Sequence, residues 1–162
     1  MSFEIERKFL VHGDGWRLAA ISHVNMRQAN LTSSDKASIR VRIEDNRRAI
    51  LTIKSRNAEL RRLELEYDVP VLEAEAMIPL RHGSVIEKIR HDVPFGDLTW
   101  EVDAFTGESE GLVIAEVELD HAHQQIHLPP WVGTEVTHQG EYYNGSLALR
   151  PFTAWPARRA QA

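Results

Sequence analysis

Charged side chains stand at alternate positions near the start of this 162-residue chain. Glu4, Glu6 and Lys8 alternate with other residues, and alternate side chains of a β-strand point to the same face of the sheet. If this stretch is a strand, two carboxylates and an ammonium group project together from one face. That combination is typical of an active site.

The same spacing recurs along the chain, and the residues between the charges are largely apolar. The further charged sets are Arg40/Arg42, Lys54, Arg62/Glu64/Glu66, Lys88/Arg90, Glu101/Asp103 and Glu116/Glu118. One isolated pair of this kind usually lies on the wet face of an antiparallel sheet. Sets on nearly every strand instead indicate one charged interior that all the strands share.

The elements that would position these residues follow one another through short polar turns, as strands of antiparallel meanders do. After the first strand, strands are predicted at 24–31, 37–45, 48–55, 61–69, 84–91, 98–105 and 112–119. Short helices are predicted after Asp14 and at 72–80, 120–126 and 143–149. The expected fold class is α+β, mainly β: a closed antiparallel β-barrel of about eight strands with flanking helices. Residues 1–150 form the predicted domain, and 151–162 a flexible tail.

Composition restricts the function classes. The formal charge of −5 and the pI of about 5.9 argue against sequence-blind binding of nucleic acid, which requires a basic face. The chain has no cysteine, so disulfides, thiol nucleophiles and thiolate-bound zinc are excluded. No apolar run is long enough for a membrane span. We therefore expect a cytoplasmic protein without a membrane partner.

The predicted interior has seven cations and eight acids, a formal charge of −1. Buried charges are costly unless they are paired, so this interior requires water, ions or a ligand. Carboxylate clusters without His or Cys favour hard cations such as Mg²⁺, Mn²⁺ or Ca²⁺, and rows of Arg and Lys favour phosphate. Together they describe a phosphoryl-transfer site.

The ordered motifs resemble the CYTH, or triphosphate tunnel metalloenzyme, superfamily from about residue 3 to residue 149. The motifs are Glu-Ile-Glu-Arg-Lys at 4–8, Arg-Val-Arg at 40–42, Thr-Ile-Lys at 52–54, Glu-Leu-Glu at 64–66, Lys-Ile-Arg at 88–90, Trp-Glu-Val-Asp at 100–103 and Ala-Glu-Val-Glu-Leu at 115–119. The resemblance implies a β-tunnel that binds triphosphate in its lumen with Mg²⁺ or Mn²⁺, at a site for two metals. A homodimer is compatible with this reading, although the sequence does not determine the oligomeric state.

The resemblance also implies roles for individual residues. The implied metal ligands are Glu4, Glu6, Asp103, Glu116 and Glu118. The implied substrate-binding cations are Lys8, Arg40, Arg42, Lys54, Arg62, Lys88 and Arg90. Glu4, Glu6, Lys8 and Lys54 are the implied catalytic residues, while Glu64 and Glu66 either orient the cations or assist the metal.

The expected function is hydrolysis of inorganic tripolyphosphate, or of a related nucleoside or thiamine triphosphate, with release of orthophosphate. Two alternatives stay open: an adenylate cyclase and a non-catalytic polyphosphate-binding module. The second is kept because two positions depart from the family pattern. Asn30 stands where a tyrosine is common, and Glu141 stands where a basic residue is common.

Overall fold

The computed structural model describes residues 2–56 and 61–156. Over these residues the strands are β1 (Ser2–Val11), β2 (Ser22–Ser33), β3 (Ala37–Glu44), β4 (Arg48–Ser55), β5 (Arg61–Val69), β6 (His82–Phe95), β7 (Leu98–Thr106), β8 (Val113–Glu118) and β9 (Val132–Glu135). The helices are α1 (Gly15–Ala19), α2 (Val71–Met77) and α3 (Asn144–Leu149), with 3₁₀ turns at Ile78–Leu80, Gly107–Ser109, Gly140–Tyr142 and Phe152–Ala154. None of the described helices is both long and apolar enough to cross a membrane.

The sheet closes on itself through β1. The strand order is β5-β4-β3-β2-β6-β7-β8-β1, and the first part of β1, from Ser2 to Ile5, pairs with β5. The next part, from Glu6 to Leu10, pairs with β8, while β9 adds to the end of β1. The predicted closed antiparallel barrel of eight strands with flanking helices is confirmed.

The apolar sides of the strands face outward and are covered by helices and loops. Val41 and Ile43, which alternate with the arginines of β3, are buried beneath Ala74 of α2. Trp16 of α1 is fully buried in a second cluster with Trp100 of β7. Burial of this outer apolar surface stabilises the barrel, at about 25 cal/mol for each Å² removed from water. The inner surface is thereby left for the charged residues.

The inward-facing rows of four strands end in an apolar layer. Leu10, Ile86, Phe105 and Ile114 continue the rows of β1, β6, β7 and β8, and all four are buried in one cluster with Leu147 of α3. Charged residues that adjoin this layer are therefore cut off from solvent on that side. This layer determines which of the predicted site residues reach open space.

One predicted helix is wrong. Residues 120–126 form a single turn followed by extended chain, in which the Asp120 amide donates to Gln124 Oε1 at 2.7 Å. Ile126 packs against the tryptophan-rich outer cluster. The Pro129-Pro130 pair disfavours helical backbone at Leu128, so a helix in this segment could not extend further along the chain.

The other differences concern the length of elements. Strand β6 begins two residues earlier and ends four residues later than predicted, running from His82 to Phe95 rather than over 84–91. Strand β9 was not predicted, since four residues containing a glycine give too short a pattern. Phe152, in the predicted tail, is 3% exposed and packs in the apolar layer. Residues 157–162 lie outside the described residues, and their flexibility stays a prediction.

Candidate active site

A cavity of about 700 Å³ occupies the lumen of the barrel. Among the described residues that line it, seven are Lys or Arg and seven are Glu. The cations are Lys8, Arg40, Arg42, Lys54, Arg56, Arg62 and Arg90, and the acids are Glu4, Glu6, Glu64, Glu66, Glu101, Glu116 and Glu118. The lumen is thus formally neutral apart from His82, so its charges are balanced without one sign dominating.

One group of ion pairs joins β1, β4 and β5. Lys54 Nζ lies 3.0 Å from Glu4 Oε1 and 3.1 Å from Glu64 Oε2. Arg62 Nη2 lies 3.5 Å from Glu4 Oε1 and 3.3 Å from Glu6 Oε1. Pairing in register brings these groups together, because Glu4 lies opposite Arg62 and Lys54 lies opposite Glu64.

A second group lies where β1 meets β8. Lys8 Nζ donates to Glu116 Oε1 at 2.8 Å, and both side chains are almost completely buried. Burial alone would raise the pKa of Glu116, but the charges of Lys8 and Arg90 outweigh it and hold this pKa well below its usual value. Burial, together with the charge of Glu116, raises the pKa of Glu6 to about 8. Two carboxylates therefore compete for too little positive charge in this part of the lumen.

A third group is buried behind Arg90. Asp103 accepts from Lys88 Nζ at 2.7 Å and from Arg90 Nε and Nη2 at 2.7 and 2.8 Å, and its side chain is 1% exposed. Arg90 Nη1 donates to Glu101 Oε2 at 3.0 Å. Burial lowers the pKa of Lys88 to about 8, although Asp103 opposes the effect.

The structure therefore brings together the predicted site residues with two exceptions. Lys88 and Asp103 are not among the residues that line the cavity, because they adjoin the apolar layer. Both oxygens of Asp103 accept from cations and the side chain does not reach the cavity, so its predicted role as a metal ligand stays a prediction that this position does not favour. Lys88 is likewise held on Asp103 behind Arg90, and its predicted role in substrate binding stays a prediction.

Sequence reasoning missed several uncharged or peripheral lining residues. Among them are Gln28, Arg56, His82 and Tyr143. The Tyr143 ring lies 5.5 Å from Lys8 Nζ, and its hydroxyl donates to the Thr137 carbonyl at 2.6 Å. Gln28 lies two residues before Asn30 on β2, so both side chains point to the same face of the strand. The signal that could have identified Gln28 is this alternation, applied to polar as well as charged residues.

The two departures from the family pattern lie in different places. Asn30 lines the cavity, and its side-chain amide lies close to Gly145. A Cβ atom added to Gly145 would lie 3.5 Å from Asn30 Nδ2. Glu141 is exposed in the 3₁₀ turn Gly140–Tyr142 and does not line the cavity. Only the first departure therefore changes the surface of the lumen.

Within residues 2–56 and 61–156, no three His, Asp or Glu side chains form a ready-made metal centre. The lumen carboxylates instead contact cations of the protein. The donor chemistry nevertheless fits a hard divalent cation, because the lumen offers several carboxylates and no sulfur. The raised pKa of Glu6 beside Glu116 also marks a place that lacks positive charge.

The fold and the site define a class of protein: a closed antiparallel barrel whose lumen is lined by opposing rows of cations and carboxylates. A family model described as the CYTH domain matches residues 2–150, and the chain belongs to this family.

Two curated relatives are named inorganic triphosphatase. The one from Acetivibrio thermocellus is 42% identical over 153 residues, a match that covers 94% of this chain and 97% of the relative. The one from Nitrosomonas europaea is 37% identical over 153 residues, covering 90% and 97%. A crystal structure of an inorganic triphosphatase matches with a TM-score of 0.64 at 35% identity, covering 92% of this chain and 96% of that one.

Proposed function

We propose that this protein is a metal-dependent hydrolase of inorganic tripolyphosphate or a related triphosphate. The observation that supports it best is the closed lumen, in which seven cations and seven carboxylates of the described chain line one cavity. The two inorganic triphosphatases match nearly the whole chain, which favours the same substrate class. In the reaction, water attacks a terminal phosphorus, the bond to the bridging oxygen breaks, and orthophosphate and pyrophosphate are released.

The chain's own cations bind and orient the substrate. Arg40, Arg42 and Lys54 lie on adjacent strands and offer donors to phosphate oxygens. Arginine can bind two phosphate oxygens at once, which fixes the phosphoryl group in one orientation. Catalysis of phosphoryl transfer depends mainly on such positioning and on neutralising charge in the transition state.

The carboxylates of β1 and β8 are the proposed metal ligands. Glu4, Glu6, Glu116 and Glu118 lie on these strands, with Glu6 opposite Glu118 in register. Mg²⁺ or Mn²⁺, one or two ions, would neutralise phosphate charge and lower the pKa of the attacking water. Asp103 is left out of this set because, unlike these four carboxylates, it does not line the cavity.

The test is incubation of the purified protein with tripolyphosphate in Mg²⁺ or in Mn²⁺, followed by phosphorus NMR. We expect equal amounts of orthophosphate and pyrophosphate to appear first, and no product in EDTA. Parallel reactions with ATP test the alternatives. Cyclic AMP as the main product would show that the protein is a cyclase and not a hydrolase, and tight tripolyphosphate binding without product would indicate a binding module.

The cytoplasmic location and the homodimer stay predictions.

A further inference from the structure

Strand β2 is unusual among the strands of the closed barrel. Each of the other seven strands contributes at least one ionisable side chain to the described cavity lining, whereas β2 contributes Gln28, Asn30, Thr32 and Ser33. It lies between β3, which carries Arg40 and Arg42, and β6, which carries Arg90. A neutral strand between cationic strands limits repulsion between their charges while still presenting hydrogen-bond donors.

The Gln28 side chain is buried without hydrogen-bond partners. It is 1% exposed, lines the cavity, and neither Nε2 nor Oε1 has a partner among the described residues. A buried amide without partners destabilises the folded protein, because it has lost its hydrogen bonds to water without gaining others. Beside a cavity, a bound ligand is one source of the missing partner.

The neighbouring arginines have the same deficiency. Gln28 lies directly opposite Arg42 in the β2–β3 register, and Asn30 lies opposite Arg40. The Nε groups of both arginines are buried donors without an acceptor. Gln28 Nε2 and the two arginine Nε atoms are thus three buried donor nitrogens on adjacent strands that have no partner among the described residues, and together they can donate to an anion in the cavity.

We infer that the Gln28 carboxamide is a substrate-binding group that donates from Nε2 to an oxygen of the phosphoryl group held by Arg40 and Arg42. This inference rests on the proposed function and adds an uncharged contact to it. A fully ionised phosphate cannot donate to Gln28 Oε1, so a guanidinium N–H of Arg40 or Arg42 satisfies that oxygen in the complex. The amide thus holds the arginine as well as the phosphate.

The decisive variant is Gln28→Met, which keeps the length of the side chain and removes both polar atoms. Replacing an unsatisfied buried amide with an apolar group of similar shape leaves stability unchanged or raises it. We therefore expect the ligand-free variant to melt at the same temperature as the wild type or higher. We also expect its Kd for tripolyphosphate to rise roughly tenfold to hundredfold, the value of one hydrogen bond to a charged acceptor. Gln125→Met, on the exposed loop after β8, is the control and should bind as the wild type does.

Binding is measured by calorimetry with tripolyphosphate in EDTA, where turnover does not interfere, and KM and kcat are then measured with metal. Gln28→Glu, which places a carboxylate opposite Arg42, should weaken binding more than Gln28→Met because it repels phosphate. If the methionine variant does not fold, unchanged affinity in the glutamate variant overturns the inference.

The outcomes separate the two proposals. A wild-type protein that neither binds nor hydrolyses tripolyphosphate overturns the proposed function and this inference with it. A wild type that does both, beside a folded Gln28→Met variant with the same Kd and KM, overturns the inference alone. A lower melting temperature with unchanged affinity would make Gln28 a packing residue.

Discussion

At the residue scale, several cations of the lumen are paired with carboxylates that line the same cavity. Lys54 is the clearest case, because its ammonium group lies between Glu4 and Glu64 at about equal distances, 3.0 and 3.1 Å. The side chain is 16% exposed, so it is held in place and yet reaches the cavity. A phosphate oxygen would therefore meet a donor that is already oriented.

We predict that Lys54→Ala weakens binding of tripolyphosphate roughly tenfold to hundredfold, because a charged hydrogen bond contributes about 1.5–3 kcal/mol. The measurement is Kd by calorimetry and KM from the rate of orthophosphate release. Arg47→Ala removes the same charge from an exposed turn outside the cavity and serves as the control. Equal constants for Lys54→Ala and the control would remove Lys54 from the site.

Asp103 is the shared counter-charge of two buried cations, Lys88 and Arg90, and this position predicts a role in stability. Asp103→Asn keeps the shape but leaves Lys88 and Arg90 buried without their shared counter-charge. We expect the free energy of unfolding to fall by about 3–5 kcal/mol, as when one partner of a buried ion pair is removed. Urea denaturation measures this loss.

Asp97→Asn, in the exposed turn between β6 and β7, is the matched control for Asp103→Asn. It should leave the unfolding free energy within about 0.5 kcal/mol of the wild type. Adding Lys88→Met to Asp103→Asn should recover part of the loss, since it removes one uncompensated charge. If Asp103→Asn is as stable as its control, the buried group has no such role.

At the element scale, β1 is the strand that closes the barrel, because it pairs with β5, β8 and β9. Its attachment to β9 includes a bidentate contact, with Arg7 Nε and Nη2 donating to Glu135 at 3.0 and 2.6 Å. Thr137 Oγ1 also donates to Glu135 at 2.6 Å. This contact lies outside the lumen and can be tested without altering the site.

The hydrogen bond from Arg7 lowers the pKa of Glu135 below its ordinary value of 4.5, although partial burial opposes the effect. A lowered folded-state pKa adds stability that is present above the ordinary pKa and is lost as pH falls through the folded value. Glu135→Gln should therefore cost up to about 1 kcal/mol at pH 7, because the group is well exposed to solvent. The difference from wild type should shrink as the pH falls below 4.5.

Urea denaturation of both proteins between neutral and acid pH measures this difference. Arg7→Gln should reproduce the same dependence, because it removes the other partner of the pair. A constant difference over the whole range would mean that the charge of Glu135 is not responsible.

At the scale of the whole molecule, closure reverses the usual arrangement of a small barrel. The apolar faces of the strands are covered from outside by α1, α2 and the loops, and the charged faces surround the cavity. Charges that would be scattered over an open sheet therefore act on one ligand. The apolar layer near α3 limits the charged space on one side.

The sequence by itself determined the strands and the side of each strand that carries charge. Strands β4 and β5 begin and end where the pattern predicts, because alternation between charged and apolar residues is a property of neighbours in the chain. The helix predicted at 120–126 failed because tertiary packing of Ile126 and the following prolines outweighed local preference.

Only the tertiary structure decided which inward-facing groups reach the cavity. Lys88 and Arg90 point to the same face of β6, yet Lys88 is buried against the apolar layer while Arg90 lines the lumen. Gln28 gives no charge signal, and its lack of partners became visible only beside Arg40 and Arg42. Alternation fixes the face of a strand, whereas depth along the barrel depends on the register of strands that are distant in sequence.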